Sequence, residues 1–122
     1  MGNKYLLGVD VGTTSIKVAI INEDAQVLGM SSSSYKLITP NQDYAQIDTE
    51  SMWNAYLKCI RLLQEGKGID LSRIAGISIS SLCPGLAALG ENGEVLVDPI
   101  IYSDRRSTEE AEMIREAVGV DK

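Results

Sequence analysis

Short apolar runs, each closed by a polar break, dominate the first third of the chain. Residues 5–10 (Tyr-Leu-Leu-Gly-Val-Asp) are an apolar run ended by an acid, the pattern of a buried strand. Val11-Gly12-Thr13-Thr14 reads as a turn, and the β-rich run 15–21 returns as a second strand. Asn22 to Ala25 break that run, and residues 26–35 read as a third strand, with Ser31 to Ser34 on an edge or exit. Two tight hairpins thus predict an antiparallel three-strand meander.

The period then changes. After a loop at residues 39–43, Asp48 is placed to cap a helix whose residue three positions on is Ser51, without the Glu or Gln of a full capping box. Met52, Trp53, Tyr56, Leu57, Ile60 and Leu63 fall at helical spacing and predict a core-facing stripe. The helix is expected to run to about Gln64 and to stop at Gly66-Lys67-Gly68. Residues 73–80 read as a buried fourth strand, and residues 86–89 as another. The turn Glu91-Asn92-Gly93-Glu94 joins the latter to 95–97 as a hairpin, with a separate short strand at 100–102. A charged helix follows from Thr108 to about Val118, with Ala111, Ile114 and Val118 on its inner face and acids at its start. A meander, a helical crossover and a further strand predict an α/β fold: a mixed sheet, antiparallel at its start, with flanking helices.

Composition narrows the chemistry. The 122 residues include no His, which excludes Ser-His-Asp and Cys-His dyads and any His-ligated metal. Two cysteines 24 positions apart, Cys59 and Cys83, form neither a metal pattern nor a disulfide framework and read as reduced thiols of a cytoplasmic protein. The net charge of −6 gathers late: residues 1–61 carry 5 basic and 6 acidic side chains, residues 62–122 carry 6 and 11. No nucleic acid partner is expected of such a surface. No apolar run approaches the length of a membrane span, so no membrane partner is expected either. There is no G-x-x-x-x-G-K-[ST], and Leu71 breaks the G-x-G that Gly66 and Gly68 open.

The most informative string is Gly8-Val9-Asp10-Val11-Gly12-Thr13-Thr14-Ser15-Ile16-Lys17. A carboxylate ends a strand, a Gly turn and two hydroxyls follow, and a cation stands on the return. Successive N–H groups of such a turn can cradle phosphate oxygens. Asp10 would repel a phosphate unless Mg²⁺ lay between them, and Lys17 offers a point charge. A hairpin whose Asp and Thr satisfy their own backbone accounts for the same letters.

This string resembles the first phosphate-binding motif of the FGGY carbohydrate kinases, members of the actin and hexokinase superfamily. Asp43-Tyr44-Ala45-Gln46-Ile47-Asp48-Thr49-Glu50, then Met52-Trp53, is similar to that family's G-[WY]-x-E-[QH]-[DN]-P-E-x-W segment, with Asp43 for Gly, Gln46 for Glu and Thr49 for Pro. Residues 75–80 resemble the strand that delivers the sugar-binding loop. Residues 98–107 resemble its P-x-I-x-W-x-D-x-R segment, with Tyr102 where Trp is usual. One loop departs: Ser80-Ser81-Leu82-Cys83-Pro84-Gly85 puts Cys83-Pro84 where xylulose kinases tend to carry Met-His, which removes the usual polar side chain facing the sugar.

The resemblance implies a ribonuclease-H-like, actin-like ATPase fold, here incomplete, with residues 1–122 as the N-terminal portion of the first kinase domain. It implies ATP and Mg²⁺ as cofactors, held by Asp10, Gly12, Thr13, Thr14 and Lys17, with the metal at Asp10. It implies a small-molecule sugar or polyol bound by Cys83, Pro84, Gly85, Tyr102, Asp104 and Arg106. A mutual ion pair or a helix N-cap is the plainer role for Asp104 and Arg106, and an inert pocket residue the plainer role for Cys83. The family's catalytic base and adenosine site come later in sequence, so no catalytic residue is expected here. The chain then reads as a truncated piece or a shortened gene product, inactive alone. A non-catalytic sugar- or nucleotide-binding module of the same superfamily is the alternative. A cut sheet exposes edges and an apolar face, so self-association, down to a homodimer, is also expected.

Overall fold

A computed structural model of the chain describes residues 4–119. The predicted meander is present as β1 (Tyr5–Val11), β2 (Ser15–Asn22) and β3 (Val27–Ser34). Strict alternation sorts its residues: Leu7, Val9, Ile16, Val18 and Ile20 are buried on one face. Gly8, Asp10, Lys17 and Ala19 lie on the other. After the helix, β6 (Ile74–Ser81) joins the far side of β1 in parallel, giving the order β3-β2-β1-β6. The tetra-serine run indeed lies on an edge strand.

The crossover helix α1 (Thr49–Lys67) starts where expected: the Asp48 carboxylate accepts from the Ser51 amide at 2.7 Å. It ends at Gly68, whose left-handed φ of 63° suits glycine and whose N–H reaches Leu63 O. Its buried line is Ala55, Cys59 and Leu63, flanked by Met52, Tyr56 and Ile60, not the stripe that includes Trp53 and Leu57. Small residues at positions 55 and 59 let α1 lie close on β2 and β3. At Gly29 an added Cβ would stand 2.9 Å from Leu63 Cδ2. That closeness rotates the large aromatic off the interface. Trp53 is 57% exposed and stacks on Tyr56, ring centroids 5.3 Å apart.

Strand β6 is not buried, contrary to the reading of residues 73–80. Because α1 covers β2 and β3, Ile77 and Ile79 are 58% and 67% exposed. With Trp53, Tyr56 and Val11 they line an apolar groove of about 390 Å³.

A second sheet goes beyond the single sheet predicted. Two-residue strands β4 (Leu37–Ile38) and β5 (Gln46–Ile47) join β7 (Gly85–Leu89) and β8 (Val95–Ile101) in the order β4-β5-β8-β7. The Asn-Gly turn forms, closed by Gly90 N to Glu94 O at 2.9 Å, with Gly93 at φ 81°. The runs 95–97 and 100–101 are one strand rather than two, and Tyr102 lies in the turn after it. Pro99, which lacks an N–H, sits where the register between Leu86 and Ala88 shifts, so the ladder passes around it. Helix α2 (Thr108–Val118) has the predicted span. Its expected inner face is not covered by the described residues, and Ile114 and Val118 are 64% and 55% exposed.

Candidate functional site

The carboxylate and the cation of the turn string face each other across the first hairpin. Asp10 and Lys17 are register partners, and Lys17 Nζ lies 3.2 Å from Asp10 Oδ2, each side chain about half exposed. Beyond them the outer sheet face is floored by small residues. Gly8, Ala19, Ser78 and Ser80 surround the pair in a concavity of about 390 Å³. The sequence signal for that floor is the small residues at alternating positions of three strands, Gly8, Ala19, Ser78 and Ser80, which share a face only once the strands are paired.

The turn is closed by main chain and not by its own side chains. Gly12 N donates to Ser15 O at 3.0 Å, and a Cβ on Gly12 would crowd that same oxygen at 3.1 Å, so any side chain there would press on the turn's closing bond. Three carbonyls of the turn are taken. Val11 O accepts from Leu82 N at 2.9 Å, and Thr14 O accepts from Tyr35 N at 3.1 Å. Gly12 O accepts from the Tyr35 hydroxyl. Among the described residues, Thr13 and Thr14 donate no hydrogen bond from either N–H or hydroxyl. Three of the turn's carbonyls are thus engaged by the protein while the Thr13 and Thr14 donors have no partner among the described residues, the polarity an anion requires. Tyr35 was read only as the end of a strand. It is buried at 7% exposure, and burial, then the Asp10 charge, push its phenol above the ordinary 10.0.

Because β1 and β6 run parallel, their C-terminal ends share one edge. Asp10 pairs with Ser80 and Val11 with Ser81. The Leu82 bond to Val11 then sets the Cys83-Pro84 loop beside the turn, with a cis peptide between those two residues. Cys83 is exposed, while Cys59 is buried on the sheet-facing side of α1. Gly85 opens β7 opposite Ile101, and Tyr102, exposed, follows directly. The turn at 11–14, the loop 82–85 and residues 101–106 therefore form one hydrogen-bonded succession.

Asp104 and Arg106 form the ion pair named as their plainer role. Arg106 Nε and NH2 bond Asp104 Oδ1 and Oδ2 at 2.8 and 2.7 Å. The carboxylate also accepts from Ala45 N at 2.7 Å and from Arg106 N at 3.0 Å. These bonds, the guanidinium first, hold its carboxyl well below the ordinary 3.8. Arg106 stacks on Tyr44, 4.0 Å from its centroid. Asp104 does not cap α2; Ser107 holds that position without a side-chain bond.

Comparison with known proteins adds to this geometry. The profile of the FGGY family of carbohydrate kinases, N-terminal domain, matches residues 5–122. Xylulose kinase from Staphylococcus xylosus is 30% identical over 96% of this chain and 24% of its own length. Gluconokinase from Bacillus subtilis is 33% identical over 92% of this chain and 21% of its own. The crystal structure of gluconate kinase from Lactobacillus acidophilus superposes with a TM-score of 0.84 at 28% identity, covering 95% of this chain and 23% of that one. The chain spans about a quarter of the length of these relatives.

Proposed function

The chain belongs to the FGGY family of carbohydrate kinases, and on that premise we propose that the protein transfers a phosphoryl group from ATP to a hydroxyl of a sugar or polyol. Residues 1–122 read as the N-terminal portion of its first domain, carrying the phosphate turn and one wall of the sugar site. The catalytic base and the adenosine site are assigned to other parts of the polypeptide. The observation that supports this best is the polarity of the turn: three of its carbonyls are bonded to the protein and the N–H groups of Thr13 and Thr14 have no partner among the described residues, beside a carboxylate and a cation.

Mg²⁺ fits that donor set. Asp10 keeps one carboxylate oxygen outside the Lys17 pair, and no cluster of three acidic or thiol ligands exists among the described residues. A single carboxylate is what a cation that retains waters and takes its other ligands from phosphate requires. When bound, the metal would neutralise charge on the phosphoryl oxygens. The protein's own part is positional. Gly12 lets the turn close, the Thr13 and Thr14 donors orient phosphate oxygens, and Lys17 adds the point charge.

On the sugar side, Gly85 leaves room and Cys83-Pro84 supplies an unpolar lip. Tyr102 and the part of the Arg106 guanidinium not bonded to Asp104 would supply the donors, with Asp104 and the Tyr44 ring holding Arg106 in place. The reading includes a cytoplasmic location, supported by two free thiols. In the described residues no helix is long and apolar enough to cross a membrane.

The test is sugar-dependent ADP release by the full polypeptide, with pentoses, hexoses, polyols and aldonic acids. Gluconate and xylulose come first, given the relatives' names. The Asp10→Asn variant should lose on the order of 100-fold or more in rate, the scale of a lost electrostatic partner to phosphoryl charge. An unchanged rate would end the role given to Asp10. Nucleotide binding without turnover on any acceptor would favour the alternative, a non-catalytic binding module.

A further inference from the structure

We propose that Tyr35 is a positioning residue for nucleotide phosphate, acting through the turn and not on the ligand; this rests on the kinase reading above. Tyr35 leaves the end of β3 and holds the turn at two places. Its N–H bonds Thr14 O at 3.1 Å and its hydroxyl donates to Gly12 O.

The second bond has a geometric consequence. In a planar trans peptide the C=O of one residue and the N–H of the next point in opposite directions. Fixing Gly12 C=O toward the buried Tyr35 therefore turns Thr13 N–H away from the protein. The Thr13 amide has no partner in the described residues, so the hydrogen bond at Gly12 O determines where that donor points.

The arrangement is also selective in what it preserves. Gly12 N is engaged by Ser15 O across the turn and Val11 O by Leu82 N, so the peptide between Gly12 and Thr13 is the part of the turn that only Tyr35 restrains from the carbonyl side, among the described residues. The phenol, raised above its ordinary 10.0 by burial and then by the Asp10 charge, stays a donor at neutral pH. Tyr35 makes no hydrogen bond to the Asp10 carboxylate, which is paired with Lys17 instead.

Tyr35→Phe deletes the hydroxyl and keeps the ring. In the full polypeptide, calorimetry should show MgADP binding weakened about tenfold, the worth of one ordinary hydrogen bond. KM for ATP should rise to match while KM for the sugar stays within about twofold. In ¹⁵N spectra without ligand, the Thr13 amide should shift in the variant while residues of α1 do not. Unchanged MgADP affinity with an unmoved Thr13 amide overturns the proposal, as does an equal loss for nucleotide and sugar, which marks a merely structural tyrosine. Should Tyr35→Phe fail to fold, wild-type protein labelled at tyrosine Cζ decides. MgADP must move the Tyr35 signal and leave Tyr56 in place, and a static Tyr35 signal overturns it. If wild-type protein binds no MgADP at all, it is the kinase reading that fails, and this inference with it.

Discussion

At the scale of single residues, two ion pairs of the same charges have opposite characters. Lys17 and Asp10 are each about half exposed, and their bond of 3.2 Å is single. Pairs in such settings stabilise by about 1 kcal/mol at most. Lys17→Met should therefore leave the melting temperature nearly unchanged while weakening MgADP binding about tenfold or more, since a phosphate loses a direct cation. Calorimetry and thermal melts on the same samples check both halves; a large fall in stability would make Lys17 structural. The Asp104–Arg106 pair is bidentate, and the Asp104 side chain is only 4% exposed. Its carboxyl is lowered by the guanidinium and by two amides. A carboxylate lowered on folding contributes stability that is complete above its unfolded pKa, near 4, and is lost as pH falls through the folded value. Wild-type stability should thus decline as pH is taken from about 4 toward 2, and the Asp104→Asn variant should show a shallower decline across that window. Urea melts at stepped pH would show it, and parallel curves for the two proteins would remove the linkage.

Elements show which parts of this fold a sequence reading can reach. The ends of α1 are local, and Asp48 and Gly68 were both legible within a few residues of their partners. The meander was legible because each strand alternates and each turn carries its own breakers. What was not legible comes from far along the chain. Asp98 accepts from Thr49 N and Thr49 Oγ1 at 3.1 and 2.7 Å, a second cap on α1 supplied 49 positions later. The bond also explains Thr49 where the family has Pro, since a proline has no N–H to give. Gln46 likewise donates to Asp98 O at 3.0 Å, which a glutamate in its place could not do. Strands of two residues, β4 and β5, have no period to detect. The face of α1 was legible in part: Met52, Tyr56, Ile60 and Leu63 pack on the core as their spacing indicates, while the close approach at Gly29 puts the small residues Ala55 and Cys59 on the central line and leaves Trp53 outside it. In the site, the contiguous string 8–17 was readable, while Tyr35, 23 positions from the Gly12 carbonyl it bonds, was not. Two predictions belong here. Asp48→Ala and Asp98→Ala should each cost about 1 kcal/mol in urea unfolding, the usual worth of an N-cap bond. Gly29→Val should cost roughly 1–3 kcal/mol, because its side chain must displace Leu63 and Lys67 from their places on β3. A neutral Gly29→Val would mean that α1 is less closely held than its buried line indicates.

For the molecule as a whole, the balance of covered and uncovered apolar surface carries the remaining consequence. The core is one-sided: Leu7, Ile20 and Val18 of the meander lie against Leu63 and Cys59 of α1. The same sheet face continues past β1 onto β6, where Ile77 and Ile79 have no layer over them, and Trp53 borders the groove between. Exposed apolar side chains in such a row lower the free energy of association by about 25 cal/mol for each Å² they bury. The outer edge of β6 adds a strand side with no paired neighbour among the described residues, an offer of ladder bonds to another strand. In a longer polypeptide of the relatives' length, later residues are the natural cover. For the 122-residue chain alone, another copy is the cover at hand, and sedimentation at tens of micromolar should show species larger than a monomer. Ile77→Lys with Ile79→Lys places two charges in the groove without disturbing a buried contact, so it should return the chain to a monomer while its circular dichroism stays unchanged. A clean monomer before the substitutions, or an assembly that survives them, would show that this face is not what joins the copies.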